Sequence, residues 1–179
     1  MLHPYVGVFV GAALAFKGWL APRGTRVNPV TTIVSVATGV ICGWLVVVLG
    51  DSNGFQIVQR PRILGAMASN PFLIGTAILL VSILNATYEE WMYRFAILGG
   101  LRAASSWGSA ALPVSAISFG LAHVAAGIPK GIVGFGLTAS YGLLAGMVFL
   151  RSSDSRFALV SMHVAADVVI LASMGPLAL

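Results

Sequence analysis

Val30-Thr-Thr-Ile-Val-Ser-Val-Ala-Thr-Gly-Val-Ile-Cys-Gly-Trp-Leu-Val-Val-Val-Leu-Gly50 runs for 21 residues without a charged side chain. A helix rises 1.5 Å per residue, so about 20 apolar residues cross the hydrocarbon core of a bilayer. The stretch therefore reads as a membrane-spanning helix. The whole chain agrees with it. Of 179 residues, 58% are hydrophobic and 8% charged, whereas a soluble domain carries roughly 25% charge. So little charge cannot cover a globule of this size in water, which disfavours a soluble enzyme and a disordered chain. The net charge of +5 does not point to nucleic acid either. The basic residues stand singly between apolar runs and form no patch.

Working outward, Tyr5–Leu20 is a first, shorter run ending near Lys17, which can snorkel. It shows no signal-peptide cleavage site. The linker 21–29 holds Pro22, Arg23, Arg26 and Pro29. After Gly50 comes a polar, broken stretch from Asp51 to Pro71. The third run, Phe72–Leu98, continues through Glu89, Glu90 and Arg94 and is expected to stop at Gly99-Gly100. The fourth, Pro113–Ile128, contains His123. Gly131–Leu150 is the fifth. Phe157–Met174, with His163 and Asp167, is the sixth.

The expectation is an all-α, polytopic membrane helical bundle of about six spans, forming one membrane-embedded domain over 1–179. Lys17, Arg23, Arg26, Arg102, Arg151 and Arg156 fall on one side of such a bundle, and Arg60, Arg62 and Lys130 on the other. The positive-inside rule puts the first group in the cytoplasm and both termini outside. Small-residue pairs at Gly7/Gly11, Gly39/Gly43 and Gly142/Gly146 read as helix-packing seams. Cys42 is the sole cysteine and reads as a small core residue. Trp19, Trp91, Tyr93 and Trp107 read as interface anchors.

The acids number five and the histidines three. Asp51, Asp154 and His3 are expected in water. Glu89, Glu90, Asp167, His123 and His163 fall inside spans, where an acid costs roughly 2.5–3.5 kcal/mol at the bilayer centre. Ionisable residues at such depth are a functional site by default. Glu89 lies nine residues before Leu98, roughly 13 Å from that helix end. His123 and Asp167 lie ten residues into their runs, roughly 15 Å deep, and His163 roughly 9 Å. With the orientation above, three helices bring these groups to similar depth, reached from the cytoplasmic side.

Spacing adds detail. Glu90 and Arg94 are four apart and share a helix face, so they can pair and leave Glu89 free. His163 and Asp167, and Phe119 and His123, have the same spacing. A carboxylate in a low-dielectric pocket suits water activation. The histidines could stabilise an oxyanion, protonate a leaving amine or bind a metal. Asp167 could serve as a metal ligand or orient His163. The chain has no His-Glu-x-x-His zinc signature.

Glu89-Glu90-Trp-Met-Tyr-Arg94, Phe119-Gly-Leu-Ala-His123 and His163-Val-Ala-Ala-Asp167 occur in that order on three spans. This resembles the CAAX protease and bacteriocin-processing enzyme (CPBP) family of intramembrane proteases, with the family-like core over 72–175. The resemblance implies that Glu89 activates water, Glu90 and Arg94 support it, His123 and His163 line the cavity, and Asp167 takes the family's Asn/Asp position. It leaves open a glutamate-only mechanism or a divalent metal such as zinc on His123, His163 and Asp167. It implies a membrane-anchored peptide or protein as substrate, in a prokaryotic cytoplasmic membrane, with the bilayer and no nucleic acid as partner. Prenyl-protein processing is not implied, because this chain is shorter than the eight-span members. Two other functions fit the same residues: a proton-coupled transporter, and a non-catalytic immunity or scaffold protein.

Overall fold

The structure, a computed structural model, describes residues 28–52, 70–104, 108–125, 129, 131–151 and 156–174. The expected first span, His3, Trp19, Trp107, Lys130, Asp154 and the charges of the loops before Asn28 and Asn70 lie outside these residues. Among the described residues all regular structure is helical. α1 is Pro29–Ser52, α2 Pro71–Glu90, α3 the short Gly100–Ala103, α4 Ala111–Ala125, α5 Gly131–Arg151 and α6 Arg156–Ser173. A π-helical segment, Trp91–Gly99, joins α2 to α3.

Two helices start with the same device. Asn28 and Asn70 each precede a proline. Asn28 Oδ1 accepts from the backbone N–H of Val30 at 3.0 Å, and Asn70 Oδ1 from that of Phe72 at 3.0 Å. The asparagine caps a free donor and the proline occupies the first helical position, where its missing N–H costs nothing. Within the helices, hydroxyls turn back on the preceding turn. Thr38 donates to the Val34 carbonyl at 2.8 Å and Ser140 to that of Gly136 at 2.8 Å. A hydroxyl satisfied on its own helix can face lipid without an unpaired donor.

Pro29–Leu49, Pro71–Ala103, Gly131–Arg151 and Arg156–Ser173 are long and apolar enough to cross a membrane. The chain is a polytopic helical membrane protein. Three sequence expectations need correction. The run at Pro113–Ile128 forms α4, whose 15 residues span roughly 22 Å and fall short of a full crossing. Gly99-Gly100 does not end the third span, since both residues adopt right-handed helical angles and the helix runs on to Ala103. Asp51 belongs to the last turn of α1 and not to a loop.

α6 packs against α1 and α2, while α4 packs chiefly against α5. Gly39 and Gly43 make the first of these contacts. A Cβ on Gly39 would run into the Met162 carbonyl oxygen, and one on Gly43 into that of Ala166. The small-residue pair is thus an internal α1–α6 seam, as the packing reading expected. Gly142 serves α5 against Ala116 of α4 in the same way. Buried Ile78, Ile170 and Leu171, with Val46 against them, fill the space between α1, α2 and α6. Val34, Ile41, Trp44, Leu84, Leu121 and Ile132 remain exposed on the outside, as suits a surface facing lipid.

Candidate active site

Glu90 and Arg94 are the deepest part of the site, each 1% exposed. Arg94 Nε lies 3.2 Å from Glu90 Oε2, the pairing that the four-residue spacing predicts. Arg94 sits in the π segment, which starts directly after Glu90. Hydrogen bonds reaching five residues back widen the turn, and such turns occur often at functional sites. The segment is tied to α4 by the Ser115 hydroxyl, which donates to the Tyr93 carbonyl at 2.6 Å. Among the described residues Nη1 and Nη2 of Arg94 have no hydrogen-bond partner. Their guanidinium instead lies over aromatic faces, with Cζ 4.8 Å from the centre of the Phe119 ring and 5.9 Å from that of Tyr141. A desolvated guanidinium gains from such faces.

His163, on α6, stands between three carboxylates. Its Nδ1–H donates to Glu90 Oε1 at 2.8 Å. On its other side, Nε2 lies 3.4 Å from Glu89 Oε2 and 3.6 Å from Asp167 Oδ1. Glu90 therefore joins Arg94 to His163 and fixes the ring. The sequence offers Asp167 for that orienting role, and Glu90 makes the shorter contact. Asp167 is held in turn by Asn85, whose Nδ2 donates to Asp167 Oδ2 at 3.1 Å.

His123, on α4, donates through Nδ1–H to the Phe119 carbonyl at 3.0 Å. In the neutral ring this leaves Nε2 as an acceptor. Phe119 meets both imidazoles edge-to-face, its ring centre 4.9 Å from that of His123 and 6.1 Å from that of His163. The aromatic wall expected beside His123 thus extends to both histidines. Tyr93 packs edge-on against Phe119 at 4.8 Å and is buried. It backs the Phe119 ring inside the bundle and does not line the cavity, unlike the exposed interface anchor that its place in the sequence suggests.

A cavity of about 370 Å³ opens onto this cluster. One end is lined by Asn85, Glu89, His123, Tyr141, His163 and Asp167, and the rest largely by apolar side chains such as Leu45, Val46, Val81, Leu137 and Leu144. Its size suits a ligand pocket. Glu89 and Asp167 are each 17% exposed, whereas Glu90 and Arg94 are sealed behind them and do not line the cavity. The residues singled out in the sequence therefore converge: Glu89, Glu90, Arg94, Phe119, His123, His163 and Asp167. The sequence reading missed Asn85 and Tyr141. A tyrosine between Leu137 and Leu144 in a long apolar run carries no signal of a site, whereas an amide deep in such a run does.

Among the described residues no group of three or more His, Cys, Asp and Glu side chains is placed to hold an ion. Nδ1 of each imidazole is held by an oxygen acceptor, which leaves Nε2 as the free edge of His123 and turns that of His163 to Glu89 and Asp167.

Helices of membrane-spanning length around a buried carboxylate–histidine cluster define a membrane protein with an ionisable centre inside the bilayer. The family model described as type II CAAX prenyl endopeptidase Rce1-like matches residues 71–169, more than half of the chain and all of the clustered residues. The chain belongs to this family of membrane proteases. Neither the comparison with curated proteins nor that with solved structures gave a match.

Proposed function

We propose that the protein is an intramembrane endopeptidase that hydrolyses a peptide bond of a membrane-anchored peptide or protein, with Glu89 as the base. The observation that carries this reading is the division of labour within one cluster. Glu89, His123, His163 and Asp167 line a cavity, while the Glu90–Arg94 pair is sealed behind them. We assign the catalytic core to residues 72–175 and the membrane to a prokaryotic cytoplasmic one.

In the proposed reaction Glu89 takes a proton from a water molecule, and the water oxygen bonds to the substrate carbonyl carbon. The carbonyl electron pair moves onto its oxygen. His123, with Nδ1–H held by the Phe119 carbonyl, accepts from the water through Nε2 and orients it. His163, held at Nδ1 by Glu90, donates from Nε2 to the oxyanion when protonated. Collapse of the intermediate breaks the C–N bond, and Glu89 returns its proton to the leaving amine. No step is routed through a metal, because no donor group among the described residues is placed to hold one.

The test is co-expression of candidate membrane-anchored substrates with the wild type and with Glu89→Ala, followed by mass spectrometry of the products. A new substrate terminus that is present with the wild type and missing with the variant is expected. Identical products from both would overturn the mechanism.

A further inference from the structure

Asn85 lies one helical turn before Glu89 on α2, about 6 Å along the axis and on the same face. It is exposed and lines the cavity. It also lies fourteen residues into the helix, roughly 21 Å from its start, where a polar amide has few partners in lipid. Its partner is Asp167. Asn85 Nδ2 donates to Oδ2 at 3.1 Å, and the other carboxylate oxygen, Oδ1, stands 3.6 Å from His163 Nε2. The carboxylate can accept only, so the amide must present its NH₂ end to it.

We propose that Asn85 is a positioning residue: its amide holds Asp167 with one oxygen turned to His163, and the two side chains act as a single donor–acceptor unit. The inference rests on the proteolytic reading above. By holding Oδ2, Asn85 restricts the rotation of the Asp167 carboxylate. The Nε2 edge of His163 then meets a fixed acceptor beside Glu89, instead of a carboxylate free to swing into the cavity. What His163 needs from position 167 is an accepting oxygen, and an amide oxygen supplies one as well as a carboxylate does. Donor and acceptor can therefore be exchanged across the pair. A residue that merely ties α2 to α6 would act on stability and leave turnover alone.

The experiment measures kcat, KM and the thermal midpoint on a membrane substrate whose cleavage is lost in Glu89→Ala. Asn85→Leu places an apolar side chain at an exposed position in a span, so folding is retained. It is expected to lower kcat about 10- to 100-fold, with KM within about threefold and the midpoint unchanged. Asn85→Asp, which sets two carboxylates against each other, is expected to lose more. The exchange Asn85→Asp with Asp167→Asn restores the pair with its polarity reversed and is expected to be at least about tenfold faster than Asn85→Asp alone. Full kcat in Asn85→Leu overturns the proposal, and a lowered midpoint beside it would mark an inter-helix tie instead. An exchange variant no faster than Asn85→Asp also overturns it. Either result alongside an inactive Glu89→Ala leaves the proteolytic reading standing, whereas full activity in Glu89→Ala removes that reading itself.

Discussion

α6 is packed by opposite chemistry on two of its faces, and the residues that do it are adjacent in sequence. Met162 and Ala166 offer backbone carbonyls to the glycines of α1, whereas His163 and Asp167 meet Glu89, Glu90 and Asn85 of α2. The first face is shaped, with two backbones close enough that no Cβ fits. The second face is charged. Lipid offers no hydrophobic drive to bring helices together, so close packing and polar contacts must do it. Close packing seats α1 on α6. The α2 face therefore carries more ionisable groups than helix association requires, and the excess is what the cavity meets.

Breaking the charged face should have the larger effect on stability. Arg94→Met leaves Glu90 buried without its cation, and the expected loss is about 3–5 kcal/mol, read from denaturant titration in detergent. Glu90→Gln combined with Arg94→Met removes both charges and should recover part of that loss. A double variant no more stable than the single one would show that the pair does not act as a unit. The shaped face should respond less. Gly39→Val drives a side chain into the Met162 carbonyl, and overpacking of this kind costs roughly 1–3 kcal/mol. A variant as stable as the wild type would mean that α1 is not seated on α6. The smallest effect is expected at the tie between the π segment and α4. Ser115→Ala removes one donor from the Tyr93 carbonyl and should cost about 1 kcal/mol in the same assay.

The two faces also differ in how far the sequence discloses them. The Gly39/Gly43 spacing signals a seam, but nothing in it names Met162 and Ala166 as the facing residues. The charged face is more legible, because ionisable groups are so costly in lipid that each demands a reason. Glu89, His123, His163 and Asp167 can be placed at similar depth from helix rise and the expected orientation. Their partners cannot. Rotation of α6 against α2 decides that Glu90, and not Asp167, takes Nδ1 of His163, and rotation leaves no trace in spacing. The π segment is equally hidden, since nothing in the residue pattern of Trp91–Gly99 marks the wider turn. Gly99-Gly100 misleads because glycine, a stop signal in water, is more frequent inside membrane helices. Asn85 reads as a neutral member of an apolar run, although the cost of an unpaired amide in lipid is the signal that marks it.

The central claim is that two adjacent glutamates do different work, Glu89 on the substrate and Glu90 on the fold. The most direct test compares Glu89→Gln with Glu90→Gln in one preparation, measuring cleavage rate at saturating substrate and the thermal midpoint of each. Glu89→Gln is expected to lose about 10²- to 10⁴-fold in rate with an unchanged midpoint, and Glu90→Gln to lower the midpoint markedly. A Glu89→Gln variant that cleaves at the wild-type rate would contradict the account.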